Sequence, residues 1–233
     1  MDLLPGLEPE AMTWIKLARQ LWPLVEQHLP DEHGDLARGG RPRIADQDVF
    51  ERLIAFLRAG CSWEVFDELC RDSGISGRTC RRRLAEWRDL GVFELAFEEL
   101  RSKLPEVRIA HLDATFIRSR GGGEDLVGLT RHGKGPKVQT LVDEDSRPII
   151  FQLASAHRAE STITEELIEK LDDLPEVVVA DKAYDSDPLR DLFAENDSKL
   201  LSPHRAKRKK PPRDQKQIGR HYKNRRVVER LFA

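Results

Sequence analysis

Long apolar runs are missing from this chain: nothing in it approaches the roughly 20 residues needed to cross a bilayer, so a membrane-spanning class is excluded. Cysteine is scarce, and Cys61, Cys70 and Cys80 form an odd set whose spacing matches no common zinc pattern. That excludes a disulfide-stapled secreted scaffold and points to small buried thiols in a reducing cytoplasm. The opening MDLLPGLEPE is acidic and broken by proline, unlike a secretory signal. No internal repeat is present, which removes solenoids and other repeat folds. Net charge is also small, −2 from 39 Lys and Arg against 41 Asp and Glu. What is present is a 39% hydrophobic fraction over 233 residues, enough for one large domain or two small ones, with Leu, Ile and Val recurring throughout. Disorder throughout is excluded on the same ground.

The small net charge hides an uneven distribution. Between Lys199 and Arg230 lie 13 Lys and Arg against only Asp214 and Glu229, so the remainder of the chain carries 13 net negative charges. Such asymmetry fits a polyanion meeting one face while an acidic remainder maintains solubility. A solvated basic loop is the plainer alternative. The run RAKRKKPPRDQK, however, lies between an expected strand and an expected helix, a position suited to a phosphate backbone.

The first hundred residues read as helices. Trp14, Leu17, Leu21, Leu24 and Val25 recur at helical spacing over Thr13 to His28, and Val49, Leu53, Ile54 and Leu57 do so after Asp46, an expected N-cap. Gly60 ends the second helix, Ser62 caps a short third, and Ser76 caps a fourth reaching Asp89 before Gly91. Two short helices around the turn RDSGIS resemble a helix-turn-helix. In the second of them Cys80, Leu84 and Trp87 share one side, and Arg78, Arg81, Arg82 and Arg88 gather on the other. That layout suits a helix presenting cations to a DNA groove, and equally an ordinary amphipathic helix with a basic solvent face.

From Val107 the periodicity changes to two. In RIAHLDATFI, Ala110, Leu112, Ala114 and Phe116 alternate with His111, Asp113 and Thr115, as in a strand with one apolar face. PKVQTLV and RPIIFQLA flank the turn DEDS as a hairpin, and EVVVA reads as a strand buried on both faces. Helices are expected at Ser161 to Leu171, after a cap at Asp187, and from about Arg220, with a short strand KLLS between the last two. The order predicts an α/β domain with a mixed sheet over 105–233, preceded by an all-α, helix-turn-helix-like domain over 1–104.

Three acids sit where chemistry would want them. Asp113 lies mid-strand, where an unpaired buried carboxylate costs several kcal/mol, roughly, and so demands a partner. Asp181 follows EVVVA at the carboxyl end of a strand, where α/β sheets place ligands. Glu229 shares a helix face with Tyr222 and Arg225. Each has a structural alternative: bonds from Thr115 or backbone to Asp113, a turn capped by Asp181, a surface pair between Glu229 and Arg225. Together they suggest an oxygen-ligand site for Mg²⁺ or Mn²⁺.

The blocks HLDATFIRS, GKGPKVQTLVDEDSRPI, VVADKAYDS and YKNRRVVERLF resemble the catalytic blocks of bacterial insertion-sequence transposases. The similarity is to the fifth insertion-sequence family, in the type-four/five superfamily of the DDE class, which is built on a ribonuclease-H-like fold. Tyr222, Arg225 and Glu229 meet its Tyr-x₂-Arg-x₃-Glu signature, and FLRAGCSWEVF and WPLVEQHLP resemble its N-terminal helical region. The resemblance implies metal-dependent cleavage at insertion-sequence ends and strand transfer into target DNA. It implies two Mg²⁺ or Mn²⁺ ions per site, with Asp113 bridging both and Asp181 and Glu229 each holding one. Tyr222 and Arg225 are then expected to position DNA, with phosphate contacts from Lys137 and from Lys207, Arg208, Lys209 and Lys210. The partners implied are duplex DNA, as terminal inverted repeats and target, and a second copy of the chain on that DNA; no membrane is implied.

Two departures accompany the resemblance. The family's signature continues with a lysine beyond Ala233, so a C-terminally shortened product is expected, and Glu160 stands where an aspartate is usual. A shortened chain that binds transposon ends as a non-catalytic repressor is the competing reading. A ribonuclease-H-like junction resolvase is a third, which the helix-turn-helix-like region opposes.

Overall fold

The computed structural model describes residues 9–30, 43–71, 74–118, 126–130, 133–206 and 208–232. The chain divides into two compact units, Met1–Leu104 and Pro105–Ala233.

The first unit is helical: α1 (Pro9–Glu26), α2 (Asp46–Ala59), α3 (Trp63–Leu69), α4 (Gly77–Asp89) and α5 (Val92–Ser102). Its helices start and stop where local chemistry dictates. Ser62 accepts a bond from the Val65 amide and Ser76 from the Thr79 amide, each satisfying a donor that the first turn leaves open. Gly60 ends α2 at φ 57°, a left-handed conformation that costs a Cβ-bearing residue about 1 kcal/mol. Asp46 is not the cap: Ala45 holds that position without a side-chain bond, and the Asp46 carboxylate turns inward to Arg43 and Arg83. Trp22, Val49, Phe50, Leu53, Phe66, Cys80 and Trp87 form the core, with Phe50 between the rings of Trp22 and Trp87 at 5.7 and 6.4 Å. None of Cys61, Cys70 and Cys80 is in a disulfide.

The second unit is built on strands β1 (Ile109–Phe116), β2 (Gly128–Thr130), β3 (Gly133–Gly135), β4 (Lys137–Asp143), β5 (Pro148–Ala154), β6 (Val177–Ala180) and β7 (Lys199–Leu201). Its helices are α6 (Glu160–Ile168), α7 (Asp187–Glu195), α8 (Gln215–His221) and α9 (Arg226–Phe232). Five strands form one sheet in the order β5-β4-β1-β6-β7, antiparallel through β5, β4 and β1 and parallel from β1 to β6 and β7. This is the mixed sheet with flanking helices that the order of elements in the sequence predicts. β2 and β3 form a separate antiparallel ribbon, which the periodicity of the sequence does not show.

The sheet's main core joins Ala110, Leu112, Leu141, Val178 and Ala180 to Leu167 of α6 and Leu189 and Phe193 of α7. Each fully buried Leu or Phe there contributes about 1.5–3 kcal/mol. On a second, smaller cluster Val142 meets Val227 and Val228 of α9. The DEDS turn is organised by Asp143, which accepts from the amides of Asp145 and Arg147 and from Arg147 Nε at 2.5 Å. Ser186, one residue before the expected Asp187, holds the cap position of α7, and Pro188 lies in its first turn.

Candidate active site and nucleic-acid interface

β1 and β6 run parallel with Leu112 opposite Ala180, so the next residues, Asp113 in the middle of β1 and Asp181 just past the end of β6, fall at neighbouring positions beside the carboxyl end of β6. This is the carboxyl edge where such sheets present ligand-binding groups. Asp181 accepts from the Ala183 amide at 2.6 Å and so caps a 3-10 turn, Lys182–Tyr184; its own carbonyl accepts from Ser202 Oγ at 2.5 Å. Asp113 accepts from the Ala114 amide at 3.0 Å through Oδ1 and from Arg225 Nη2 at 2.9 Å through Oδ2.

Arg225 therefore does not pair with Glu229. It ends a 3-10 stretch, Tyr222–Arg225, between α8 and α9, so Tyr222, Arg225 and Glu229 do not lie on one continuous α-helix. Within that tighter turn Arg225 Nη1 donates to Tyr222 Oη at 3.1 Å, and the guanidinium carbon lies 5.8 Å from the ring centroid. Glu229 is exposed on α9, one residue after the buried Val228.

Behind this edge lies Tyr184, buried in the main core. Its phenol is pushed up, first by burial and then by the carboxylates of Glu160, Asp113 and Asp181, which places Glu160 in the same electrostatic neighbourhood. Lys137, expected as a phosphate contact, points inward instead at 6% exposure. Its ammonium donates to the Arg158 carbonyl at 2.9 Å, pairs with Glu160 at 3.5 Å and lies 5.4 Å from the Phe116 ring. His111, two residues before Asp113, is fully buried, and burial first, then the charges of His221 and Arg225, push its imidazole down to about 4.

The donor chemistry suits a hard divalent cation, because Asp113 of β1 and Asp181 after β6 offer carboxylate oxygens from neighbouring positions and Glu229 offers a third. The placement does not complete it. Among the described residues no three of His, Cys, Asp and Glu come together as a metal-holding group, and one oxygen of Asp113 is held by Arg225.

The basic loop is folded back on the block that carries Asp181. Asp185 is buried and accepts from Arg190 Nη2 at 3.1 Å, from the Arg205 amide at 3.0 Å and from Arg208. Arg190 also donates to the carbonyls of Leu200 and Ser202, and Arg205 to those of Lys182 and Ala183. Asp187 holds Arg208 and, at 2.5 Å, Lys210. Lys209 is exposed, and Lys207 lies outside the described residues. None of Asp185, Arg190 and Arg205 stands out in the sequence; the only signal is the acid-rich run DKAYDSD, whose partners lie about 20 residues on.

In the helical unit Arg78, Arg81, Arg82 and Arg88 of α4 are exposed, and Arg88 is bonded to Asp89. Cys80 and Trp87 face the core. Arg83, between them, is buried and paired with Asp46 at 2.9 Å. Arg82 lines a polar hollow with Arg43, Ser76 and Thr79.

Comparison with known proteins matches residues 106–233 to the family described as Transposase DDE domain. Residues 17–97 match DUF4096, described as a transposase of the IS4/5 family. The 16.2 kDa protein of insertion element IS402 from Burkholderia cepacia is 30% identical over 114 residues, covering 46% of this chain and 76% of that protein. Among solved structures, the piggyBac transposase synaptic complex with hairpin DNA aligns at 14% identity and a TM-score of 0.43, over 91% of this chain and 46% of that one. The Mos1 mariner paired-end complex with Mn aligns at 11% identity and a TM-score of 0.28, over 98% and 95%.

Proposed function

The chain belongs to the family of transposases with a DDE domain, and from that premise we propose that it cuts DNA at the ends of an insertion sequence and joins those ends to target DNA. The observation that carries this reading is the parallel pairing of β1 with β6, which sets Asp113, in the middle of β1, beside Asp181 just past the end of β6. Glu229, on the helix that packs against β1 and β4, supplies the third carboxylate.

Cleavage on this reading is an in-line displacement in which a water oxygen attacks phosphorus and the 3′ oxygen leaves. The freed 3′-hydroxyl then attacks a phosphorus of the target, so one site serves both steps. DDE transposases generally use divalent metal ions; Mg²⁺ or Mn²⁺, two per site, held by Asp113, Asp181 and Glu229, would stabilise charge on the reacting phosphate. Tyr222 and Arg225 orient the strand beside these acids. Arg78, Arg81, Arg82 and Arg88 meet the duplex from the helical unit, and Arg208, Lys209 and Lys210 meet phosphates from the basic loop, with Lys207 beside them in the sequence. Lys137 serves inside the sheet unit, as the counter-cation of Glu160. Holding two transposon ends together requires two copies of the chain on the DNA.

The second reading, a non-catalytic end-binder acting as a repressor, is favoured by one observation: the three acids are not gathered into a metal-holding group among the described residues. A plasmid carrying the gene's native flanks, incubated with Mg²⁺ or Mn²⁺ and either the protein or its Asp113→Asn variant, separates the two. Site-specific nicking lost in the variant supports the transposase, whereas gel-shift binding without nicking by either supports the end-binder.

A further inference from the structure

Asp113 cannot stand alone where it is. Its side chain is 17% exposed, in the middle of β1 directly after the buried Ala110, His111 and Leu112, and a carboxylate so placed needs a cation. Arg225 supplies it at 2.9 Å from a guanidinium itself only 22% exposed. That guanidinium is poorly satisfied elsewhere: Nη1 has Tyr222 Oη, and the buried Nε has no hydrogen-bond partner among the described residues. His111 of β1, His221 at the end of α8 and Tyr184 lie in the same neighbourhood, and Arg225 is the cation bonded to Asp113.

We propose that Arg225 is the resident counter-cation of Asp113, occupying the carboxylate oxygen that a divalent ion would take, and that it must be displaced before the acids can gather around a metal. The inference rests on the transposase reading and assigns Arg225 a second position in it. Against Asp113 it keeps the site closed to cations; released, the guanidinium can form a bidentate pair with the two non-bridging oxygens of a DNA phosphate. Tyr222 is the hinge of this exchange, since its hydroxyl accepts from Nη1 while Nη2 holds Asp113. Metal entry and DNA entry are thereby coupled: a phosphate that draws Arg225 away raises the affinity of Asp113 for a cation.

The test is Mn²⁺ binding to the full chain without DNA, followed by electron paramagnetic resonance of the free ion. An opposite charge at hydrogen-bonding distance shifts a carboxylate's affinity for a cation such as the proton by about ten- to thousandfold, so Arg225→Gln should tighten Mn²⁺ binding by at least about tenfold. Tyr222→Phe, which loosens the guanidinium without removing its charge, should tighten it by less. Asp113→Asn should abolish the effect in every background, and far-ultraviolet circular dichroism checks that each variant is folded. Unchanged or weaker Mn²⁺ binding in both folded variants, with Asp113 still required for binding, overturns the proposal and leaves the transposase reading intact. Absence of Asp113-dependent Mn²⁺ binding in folded Arg225→Gln also overturns the proposal, whereas the transposase reading is overturned by failure to nick the native flanks.

Discussion

Arg83 and Asp46 form an ion pair at 2.9 Å inside the helical unit, their side chains 2% and 8% exposed. Asp46 also receives Arg43 at 3.0 Å, and Arg83 has Glu86 at 3.8 Å, so the two charges sit in a small network joining the start of α2 to the middle of α4. Breaking one partner of such a pair leaves an uncompensated buried charge, which costs about 3–5 kcal/mol. Asp46→Ala is therefore expected to lower the urea midpoint of the helical unit sharply. Arg83→Met, which removes the buried cation and keeps most of the volume, should cost less, since Asp46 retains Arg43. Equal losses would show that packing, not charge, sets the stability here.

Much of this architecture is legible in the sequence because its signals are local. Ser62, Ser76 and Gly60 announce helix ends through single hydrogen bonds or a single dihedral. Alternation in β1 and the unbroken apolar run in β6 mark both as strands, although β1 buries Ala110, His111 and Leu112 in succession, on both its faces. What is not legible depends on distant partners. Period-two alternation does not reveal that Lys137 turns inward to Glu160 or that Asp46 leaves the cap to meet Arg83. The spacing of Tyr222, Arg225 and Glu229 suggests one helical face, but a 3-10 turn intervenes, and Arg225 finds Asp113, 112 residues away. β2 and β3, three residues each, are too short to show a period.

The inward turn of Lys137 separates it from Lys209 in a measurable way. Removing one phosphate-neutralising cation makes the slope of log K against log salt shallower by about 0.9 for duplex DNA. Lys209→Ala, which deletes an exposed cation, should reduce that slope by about one unit, as read by fluorescence anisotropy over a potassium chloride series. Lys137→Met should leave the slope unchanged while lowering the melting temperature, because it strips Glu160 of its cation and the Arg158 carbonyl of its donor.

Asp187 sets an acid limit on the basic loop. Lys210 and Arg208 hold its carboxyl well below the usual range, down to about 2, and Asp185 is likewise lowered: burial opposes its charge, and the Arg205 amide, Arg190 and Arg208 outweigh it. A carboxyl with a depressed folded-state value contributes stability that is present above its unfolded value, near 4, and lost as pH falls through the folded one. The loop is thus expected to stay docked at neutral pH and to release between about pH 4 and pH 2, visible as new proteolytic cleavage at its lysines and arginines by an acid-tolerant protease. Asp187→Asn should produce the same release near neutral pH. It should also steepen the salt dependence of duplex binding, since Arg208 and Lys210 then become available to phosphates.

His111 acts in the same sense, over a higher pH window. Its folded value, about 4, lies below the ordinary 6.5, so the unfolded chain takes up a proton first as pH falls. Stability should accordingly decline from about pH 6.5 toward pH 4, by up to about 3 kcal/mol if the shift is fully expressed. His111→Gln or His111→Leu should flatten the urea midpoint across that window, and a profile as steep as that of the parent would show that another group governs it.

Asp185 offers the sharpest link between the loop and the acids. Its carboxylate gathers Arg190, Arg208 and the Arg205 amide, while Arg205 grips the carbonyls of Lys182 and Ala183 in the turn that Asp181 caps. Ser202, whose carbonyl is bonded to Arg190, closes the circuit by donating to the Asp181 carbonyl. Loosening this ring displaces Asp181 without touching it, and misplacement of about 1 Å can cost on the order of a hundredfold in rate. Asp185→Asn, which keeps one acceptor oxygen but loses the charge, is expected to slow single-turnover cleavage of transposon ends by about that factor. End binding depends on many dispersed cations and should weaken far less. Proportional losses in both would assign Asp185 to the fold of the loop alone, because a ring that positions Asp181 must affect the chemical step more than the encounter with DNA.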